Sequence, residues 1–331
     1  MESRCVRSVG AAVCLSAATL FVAPLASAAD AVFPGRPVRL IVPYAPGGAT
    51  DIIARQLAQR LSEAWGHQVI VDNRAGGSGA IALELAANAQ PDGHTLMVGN
   101  ISTNAIAETA FAKQLKVKPS RELTGVTNLI ELPHFFLVSA AVPVANMKEL
   151  IARAKTQKMS YASAGVASYP HLDAARFLKA AGIEMTHVPY KGGAGQMIPA
   201  LISNETQFAM LNIASTIAHF RAGRLKPLTT TWPTRRPEFP DVPTMAEAGF
   251  AGIGTNAWNG LFAPARISKP VLTKVHADVV RAMESPEMKA GLDKVFMSVV
   301  VNKSPAEFQG FVEEEVKKWG AVITDNKLVI E

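Results

Sequence analysis

A strand, a glycine-rich turn and a helix alternate through residues 38–99, and the same order returns through residues 159–211. In the first stretch the expected strands are Val38–Val42, Gln68–Val71 and Thr95–Gly99, joined by the turns Tyr44-Ala-Pro-Gly-Gly-Ala-Thr-Asp51 and Asn73-Arg-Ala-Gly-Gly-Ser-Gly79. In the second they are Met159–Ala162, Glu184–Val188 and Thr206–Met210. Their turns are Ser163-Ala-Gly-Val-Ala-Ser-Tyr-Pro-His171 and Pro189-Tyr-Lys-Gly-Gly-Ala-Gly195. A helical crossover returns the chain to the same end of the sheet, so the strands of a βαβαβ unit lie parallel. Two such units predict an α/β protein of two lobes, each a mostly parallel sheet flanked by helices, with loops at the carboxyl ends of its strands. Facing lobes enclose a cleft, and helix N-termini lining that cleft attract an anion. The pattern favours a ligand-binding protein over a scaffold.

Local signals refine this plan. Thr50 or Asp51 is expected to cap the first helix, Ile53, Leu57, Leu61 and Trp65 to form its buried stripe, and Gly66 to end it. The apolar segment Leu129–Ala141 reads as a strand crossing between lobes, and Met147–Thr156 as an amphipathic helix. Residues 251–258 return the chain to the first lobe, where Pro270–Met283 and Pro286–Val295 read as helices. Ser304-Pro-Ala-Glu307 is a capping box that opens a last helix bearing Phe308, Phe311, Val312 and Trp319. Residues 29–130 and 254–331 are thus expected to form a discontinuous first lobe and residues 131–253 a second. Two crossing strands join them and permit hinge closure.

Residues 1–28 read as a signal peptide. Arg4 and Arg7 supply the positive start, Ala11–Leu25 the apolar run, and Ala26-Ser27-Ala28 the small residues of a cleavage site. Both cysteines, Cys5 and Cys14, lie in this leader, so the mature chain is expected to hold no disulfide, thiol nucleophile or cysteine-bound metal. Losing Arg4, Arg7 and Glu2 takes 33 basic and 27 acidic residues to 31 and 26, a net charge of +5. That mild excess steers anions weakly and shows none of the dense basic stripe of a nucleic-acid binder.

Several chemistries fail on spacing. The first glycine turn lacks the Gly-Lys-Ser/Thr ending of a nucleotide P-loop. Gly252-Ile-Gly254-Thr-Asn-Ala257 imitates a dinucleotide fingerprint, but an extended segment follows it in place of a helix. Gly77-Ser78-Gly79 is followed by Ala80 and so is no nucleophile elbow. The histidines, among them His67, His94, His171 and His187, are scattered without metal-ligand spacing. No catalytic residues, metal or cofactor are expected. Asp51 is read as a helix cap before a ligand contact, Lys191 as a solvated loop lysine or a carboxylate contact, and Tyr44 as a cover over the ligand or a half-buried surface ring.

Pro37-Val-Arg-Leu-Ile-Val-Pro-Tyr-Ala-Pro-Gly-Gly-Ala-Thr-Asp51 resembles the opening of Bug-type substrate-binding proteins, the extracytoplasmic receptors of tripartite tricarboxylate transporters. The resemblance continues through Val71-Asp-Asn-Arg74, Pro91-Asp-Gly93, Tyr161-Ala-Ser163 and His187-Val-Pro-Tyr-Lys-Gly192. It reaches Phe239-Pro-Asp-Val-Pro-Thr244, Glu247-Ala-Gly249 and Trp258-Asn-Gly-Leu-Phe-Ala-Pro264, in order, along nearly the whole mature chain. It implies a two-lobed fold like that of type II periplasmic binding proteins, which closes on a small carboxylate held by backbone groups and waters. Carried onto this chain, it points to Tyr44, Pro46, Gly47, Gly48, Asp51, Asn100, Ser102 and Thr103 in the first lobe. In the second it points to Ser163, Gly165, Ala167, Ser168, Tyr190, Lys191, Gly192 and Asn212. Ala75 replaces a common proline, Ala167 a common glycine, and Thr206-Gln-Phe208 a frequent Val-Asp. The implied partners are integral-membrane transporter subunits and a dicarboxylate, tricarboxylate, acidic amino acid or aromatic acid, with no nucleic acid. The implied product is a periplasmic monomer without enzymatic activity. A sensor presenting its closed form to a signalling partner, and a secreted enzyme using the same cleft, are the competing readings.

Overall fold

The computed structural model describes Met1 and residues 33–325. The expected signal peptide lies outside the described residues. From Phe33 onward the chain forms one compact unit. It starts with β1 (Val38–Val42), α1 (Ala49–Trp65), β2 (Val69–Asn73), α2 (Ala80–Ala87) and β3 (Thr95–Asn100). A π-helical turn at Ser102–Ile106, α3 (Ala107–Ala110) and α4 (Pro119–Glu122) lead into β4 (Leu123–Leu132). The second repeat holds β5 (His134–Ser139), α5 (Met147–Thr156), β6 (Ser160–Ser163), α6 (Tyr169–Ala181), β7 (Thr186–Pro189), α7 (Ala194–Ile202), β8 (Phe208–Asn212), α8 (Ile213–Arg221) and β9 (Leu225–Thr230). The chain finishes with β10 (Ala257–Pro264), α9 (Lys269–Glu284), α10 (Pro286–Asp293), β11 (Ser298–Val299) and α11 (Pro305–Asp325).

Two sheets result, in the orders β11-β4-β10-β3-β1-β2 and β7-β6-β8-β5-β9. In each, the strands of the βαβαβ unit pair in parallel. The antiparallel pairings are made by three strands: β10 inserts between β3 and β4, β5 inserts between β8 and β9, and the short β11 lies at the edge beside β4. The expected single crossing strand through Leu129–Ala141 is two strands, with Pro133 between them: β4 pairs in the first sheet and β5 in the second. Proline has no N–H to donate to a ladder, which suits it to the junction.

Burial explains the elements. β1 (Val-Arg-Leu-Ile-Val) carries apolar residues on both faces because helices cover both sides of its sheet. Ile53, Leu57 and Leu61 of α1 are fully buried, and Gly66 closes the helix in the left-handed conformation. The helix is capped two to three residues earlier than expected. Its capping position is Gly48, and neither Thr50 nor Asp51 caps it, since both lie inside the first turn. The expected capping box at α11 forms in part: Ser304 Oγ accepts the Glu307 N–H (3.2 Å), while Glu307 Oε2 reaches one residue past the cap to accept the Lys303 N–H (2.9 Å). Phe308, wholly buried, then packs into space left open by Gly125 and Gly260, where an added Cβ would lie 2.7 and 2.2 Å from its ring.

Candidate functional site

The turn after β1 is held from beneath. Gly47 adopts φ +95°, which glycine reaches without strain. Its N–H donates to Asp51 Oδ2 (3.0 Å), and Arg55 Nε donates to the same oxygen (2.9 Å). Asn73 Nδ2 donates to Asp51 Oδ1 (3.0 Å) and to the Tyr44 carbonyl (2.9 Å). Burial pushes the Asp51 carboxyl up, but the Arg55, Gly47 and Asn73 contacts outweigh it and hold the group below its usual range. Asp51 thus fixes the shape of the turn, its carboxylate fully engaged within the protein.

Across the sheet, the end of β3 is capped by a side chain. Asn100 Oδ1 accepts the N–H groups of Ser102 (2.9 Å) and Thr103 (3.2 Å), and Asn100 Nδ2 donates to Tyr44 Oη (3.1 Å). Ser102 and Thr103 therefore open a π-helical turn, a form that recurs at functional sites, instead of closing the strand. Ser102 Oγ accepts the Tyr169 N–H at the start of α6 (3.1 Å). Tyr169 Oη in turn lies 2.5 Å from Nε2 of His134, the first residue of β5. Burial pushes the His134 imidazole down to about 3, against a smaller opposing pull from the Thr255 backbone, and pushes the Tyr169 phenol well above its usual range. Both are neutral at physiological pH.

The loop after β6 folds on itself. Ser163 Oγ and Ser168 Oγ both donate to the Gly165 carbonyl (2.9 and 2.7 Å), and Ser163 Oγ also lies 2.6 Å from His187 Nε2. Gly165 lets this loop approach Ser78 of the first lobe, whose Oγ stands 2.8 Å from where a Cβ would sit. Ala167 adopts the left-handed conformation (φ +55°), which glycine takes more freely than alanine. Its N–H donates to His171 Nδ1 (3.1 Å). The Gly192 carbonyl accepts the Ala45 N–H from the first lobe (3.1 Å).

These loops enclose a cavity of about 40 Å³. Tyr44, Gly48, Ala49, Thr50 and Asn100 line it from the first sheet. Ala164, Tyr169, Pro170, Gly193, Ala194, Met197, Leu211 and Asn212 line it from the second. Among the described residues, no Lys, Arg, His, Asp or Glu lines it. Charge comes instead from backbone: α1, α6, α7 and α8 all begin at this wall, each turning the positive end of its dipole toward it.

Of the residues expected from sequence, Tyr44, Gly48, Asn100 and Asn212 line the cavity. Ser102, Thr103, Ser163, Gly165, Ala167, Ser168 and Gly192 are buried in the loops behind them. Pro46 and Gly47 are exposed and border an outer groove of about 530 Å³ against α7. Tyr190 turns to Glu205 (2.8 Å), and Lys191 is exposed. Sequence reasoning did not assign Ala49, Thr50, Ala164, Tyr169, Pro170, Gly193, Ala194, Met197 or Leu211 to the site. A readable signal existed for Tyr169 and Pro170, which open a helix after a glycine loop, and none for Met197 and Leu211, which sit at ordinary core spacing.

The pattern of the tripartite tricarboxylate transporter family receptor matches residues 53–328 of this chain. The chain belongs to this receptor family. BugT of Bordetella pertussis is 27% identical over 295 residues, which cover 88% of the receptor and 90% of BugT. Among solved structures, the periplasmic binding protein BugD has a TM-score of 0.84 at 27% identity, covering 90% of the receptor and all of BugD. Rpa4515 of R. palustris, solved with adipate, has a TM-score of 0.83 at 30% identity, covering 88% of the receptor and 97% of Rpa4515. MatC of Rhodopseudomonas palustris, with bound malate, has a TM-score of 0.81 at 30% identity, covering 88% of the receptor and all of MatC. The receptor therefore has the two-lobed fold of these periplasmic binding proteins and belongs with solute receptors.

Proposed function

We propose that this receptor works in the periplasm, closes on a small carboxylate between its lobes and hands it to the membrane subunits of a tripartite transporter. In this reading residues 29–130 and 254–331 lie on one side of the hinge and 131–253 on the other, near the junction of β4 (Leu123–Leu132) and β5 (His134–Ser139), and the chain acts as a monomer. The carrying observation is a neutral cavity at which four helices begin. Adipate in Rpa4515 and malate in MatC support a carboxylate as the ligand. The leader supports export. Tyr44, Gly48, Asn100 and Asn212 touch the ligand in this reading. The remaining expected positions, from Pro46, Gly47, Asp51, Ser102 and Thr103 to Ser163, Gly165, Ala167, Ser168, Tyr190, Lys191 and Gly192, shape or border the loops that hold it.

Magnitudes permit capture without an arginine. Hydrogen bonds to a charged group contribute about 1.5–3 kcal/mol each, and a helix terminus about 0.3–1, rising to ~2 when partly buried. Micromolar affinity needs about 8 kcal/mol net, which some four to six such contacts supply after the costs of association. The test is a thermal-shift screen of ligand-free protein against small carboxylates and their amides. A ligand at about a hundred times its Kd stabilises the fold by ~2.7 kcal/mol. Stabilisation by an acid but not by its amide is expected; equal response to both would remove the carboxylate assignment.

A further inference from the structure

Both sides of the cavity wall carry neutral donors, and the second-lobe side adds an apolar patch. The first-lobe side offers a phenol, an amide, a hydroxyl and the start of α1, through Tyr44, Asn100, Thr50 and Gly48. The second-lobe side offers the Tyr169 phenol, the Asn212 amide and the starts of α6, α7 and α8, together with an apolar patch formed by Met197 of α7 and Leu211 of β8. Met197 and Leu211 are buried members of the apolar core beneath α7 and α8. Lys191 is exposed and is not part of the lining, and the arginines of α1 and α6 are engaged within the protein. Arg55 is engaged by Asp51 and Asn73, and Arg176 by Asp173 and the Gly252 carbonyl.

We infer that the receptor selects a short acid with one carboxylate and an uncharged, apolar far end, and that Met197 and Leu211 set this preference. The inference rests on the carboxylate reading above. One carboxylate is matched by helix N-termini and neutral donors. A second, enclosed in the same small space, finds no lining cation and meets the donor-free side chains of Met197 and Leu211, and an unpaired buried charge is strongly disfavoured. A methylene chain or ring meets the same side chains favourably, and the unbranched, polarisable Met197 adapts to its shape. This separates the receptor from relatives solved with adipate and malate, each of which carries two carboxylates.

The experiment titrates ligand-free native protein by calorimetry with monoacids and diacids matched in chain length: butyrate against succinate, hexanoate against adipate, benzoate against terephthalate. The monoacid of the best-fitting length is expected to bind at least tenfold more tightly than its diacid. Met197→Lys, which supplies the missing cation, is expected to reverse that order, with circular dichroism verifying its fold. A native protein that binds the diacid as tightly as the monoacid overturns the inference and leaves the carboxylate reading standing. Binding of hexanamide equal to hexanoate, or binding of none of the acids, removes the carboxylate reading and the inference together.

Discussion

At Gly48 the absence of a side chain matters for charge and not for space. A Cβ there would meet only the Ala194 Cβ at 3.6 Å, an ordinary contact, and φ −84° is open to any residue. Gly48→Ala is therefore expected to keep both fold and affinity. Gly48→Asp sets a carboxylate at the N-terminus of α1, where the ligand's own charge belongs. The expected loss of carboxylate affinity is about a hundredfold, or ~2.7 kcal/mol, with the ligand-free melting temperature little changed. Calorimetry decides, and native affinity in the aspartate variant would take the first glycine turn out of the site. Asp51, three positions on, shows the other use of a carboxylate in such a turn, since its oxygens are consumed by Gly47, Arg55 and Asn73.

Among the elements, β6, α6 and β7 meet in a stack of rings. Tyr161, His187 and His171 come from these three elements, with the two imidazoles 4.1 Å apart and tilted by 25° and Tyr161 4.9 Å from His187. Burial pushes both imidazoles down to about 4, and at His171 the neighbouring His187 adds to the effect. Between pH 6.5 and about 4 the unfolded chain therefore binds protons that the folded chain refuses. Stability is complete above about 6.5 and falls as the pH drops toward 4. Melting temperatures measured across that interval are expected to decline, and His187→Gln, which keeps a hydrogen-bonding partner for Ser163 without titrating, is expected to decline less. An identical slope in the variant would mean that this stack does not contribute.

For the whole molecule, function depends on how the two lobes meet, and small residues set the limit of approach. Gly195, in the first turn of α7, faces the turn after β1 so closely that a Cβ would lie 2.4 Å from the Pro46 carbonyl oxygen. Gly193 approaches the Tyr44 ring in the same way, at 3.0 Å. Gly195→Ala leaves each lobe's core untouched but obstructs the closed arrangement, because a carbonyl in a braced turn cannot swing aside as a side-chain tip can. Ligand affinity is expected to fall tenfold or more while the melting temperature of the free protein holds. Small-angle scattering of the variant at saturating ligand is expected to show a larger radius of gyration than the native complex. A native radius with native affinity would show that this contact does not govern closure.

The sequence by itself determined the repeated βαβαβ order, the helix limits set by Gly66 and Ser304, and the turn that brings Tyr44 and Gly48 to a strand end. Those features depend on residues within a few positions of one another: periodic burial, a glycine with positive φ, a hydroxyl capping a helix. The resemblance to Bug-type receptors added the closing cleft. Contacts between distant segments lay beyond that reach. Nothing near Met197 or Leu211 distinguishes a core position from a cavity wall, since both are apolar residues at ordinary helix and strand spacing. Nor does Asp51 announce that Arg55 and Asn73 will claim its oxygens. That Tyr169 meets both Ser102 and His134, and that β10 separates β3 from β4, follows from packing two sheets against their crossing strands, which assembles residues far apart in the chain around one small, uncharged space.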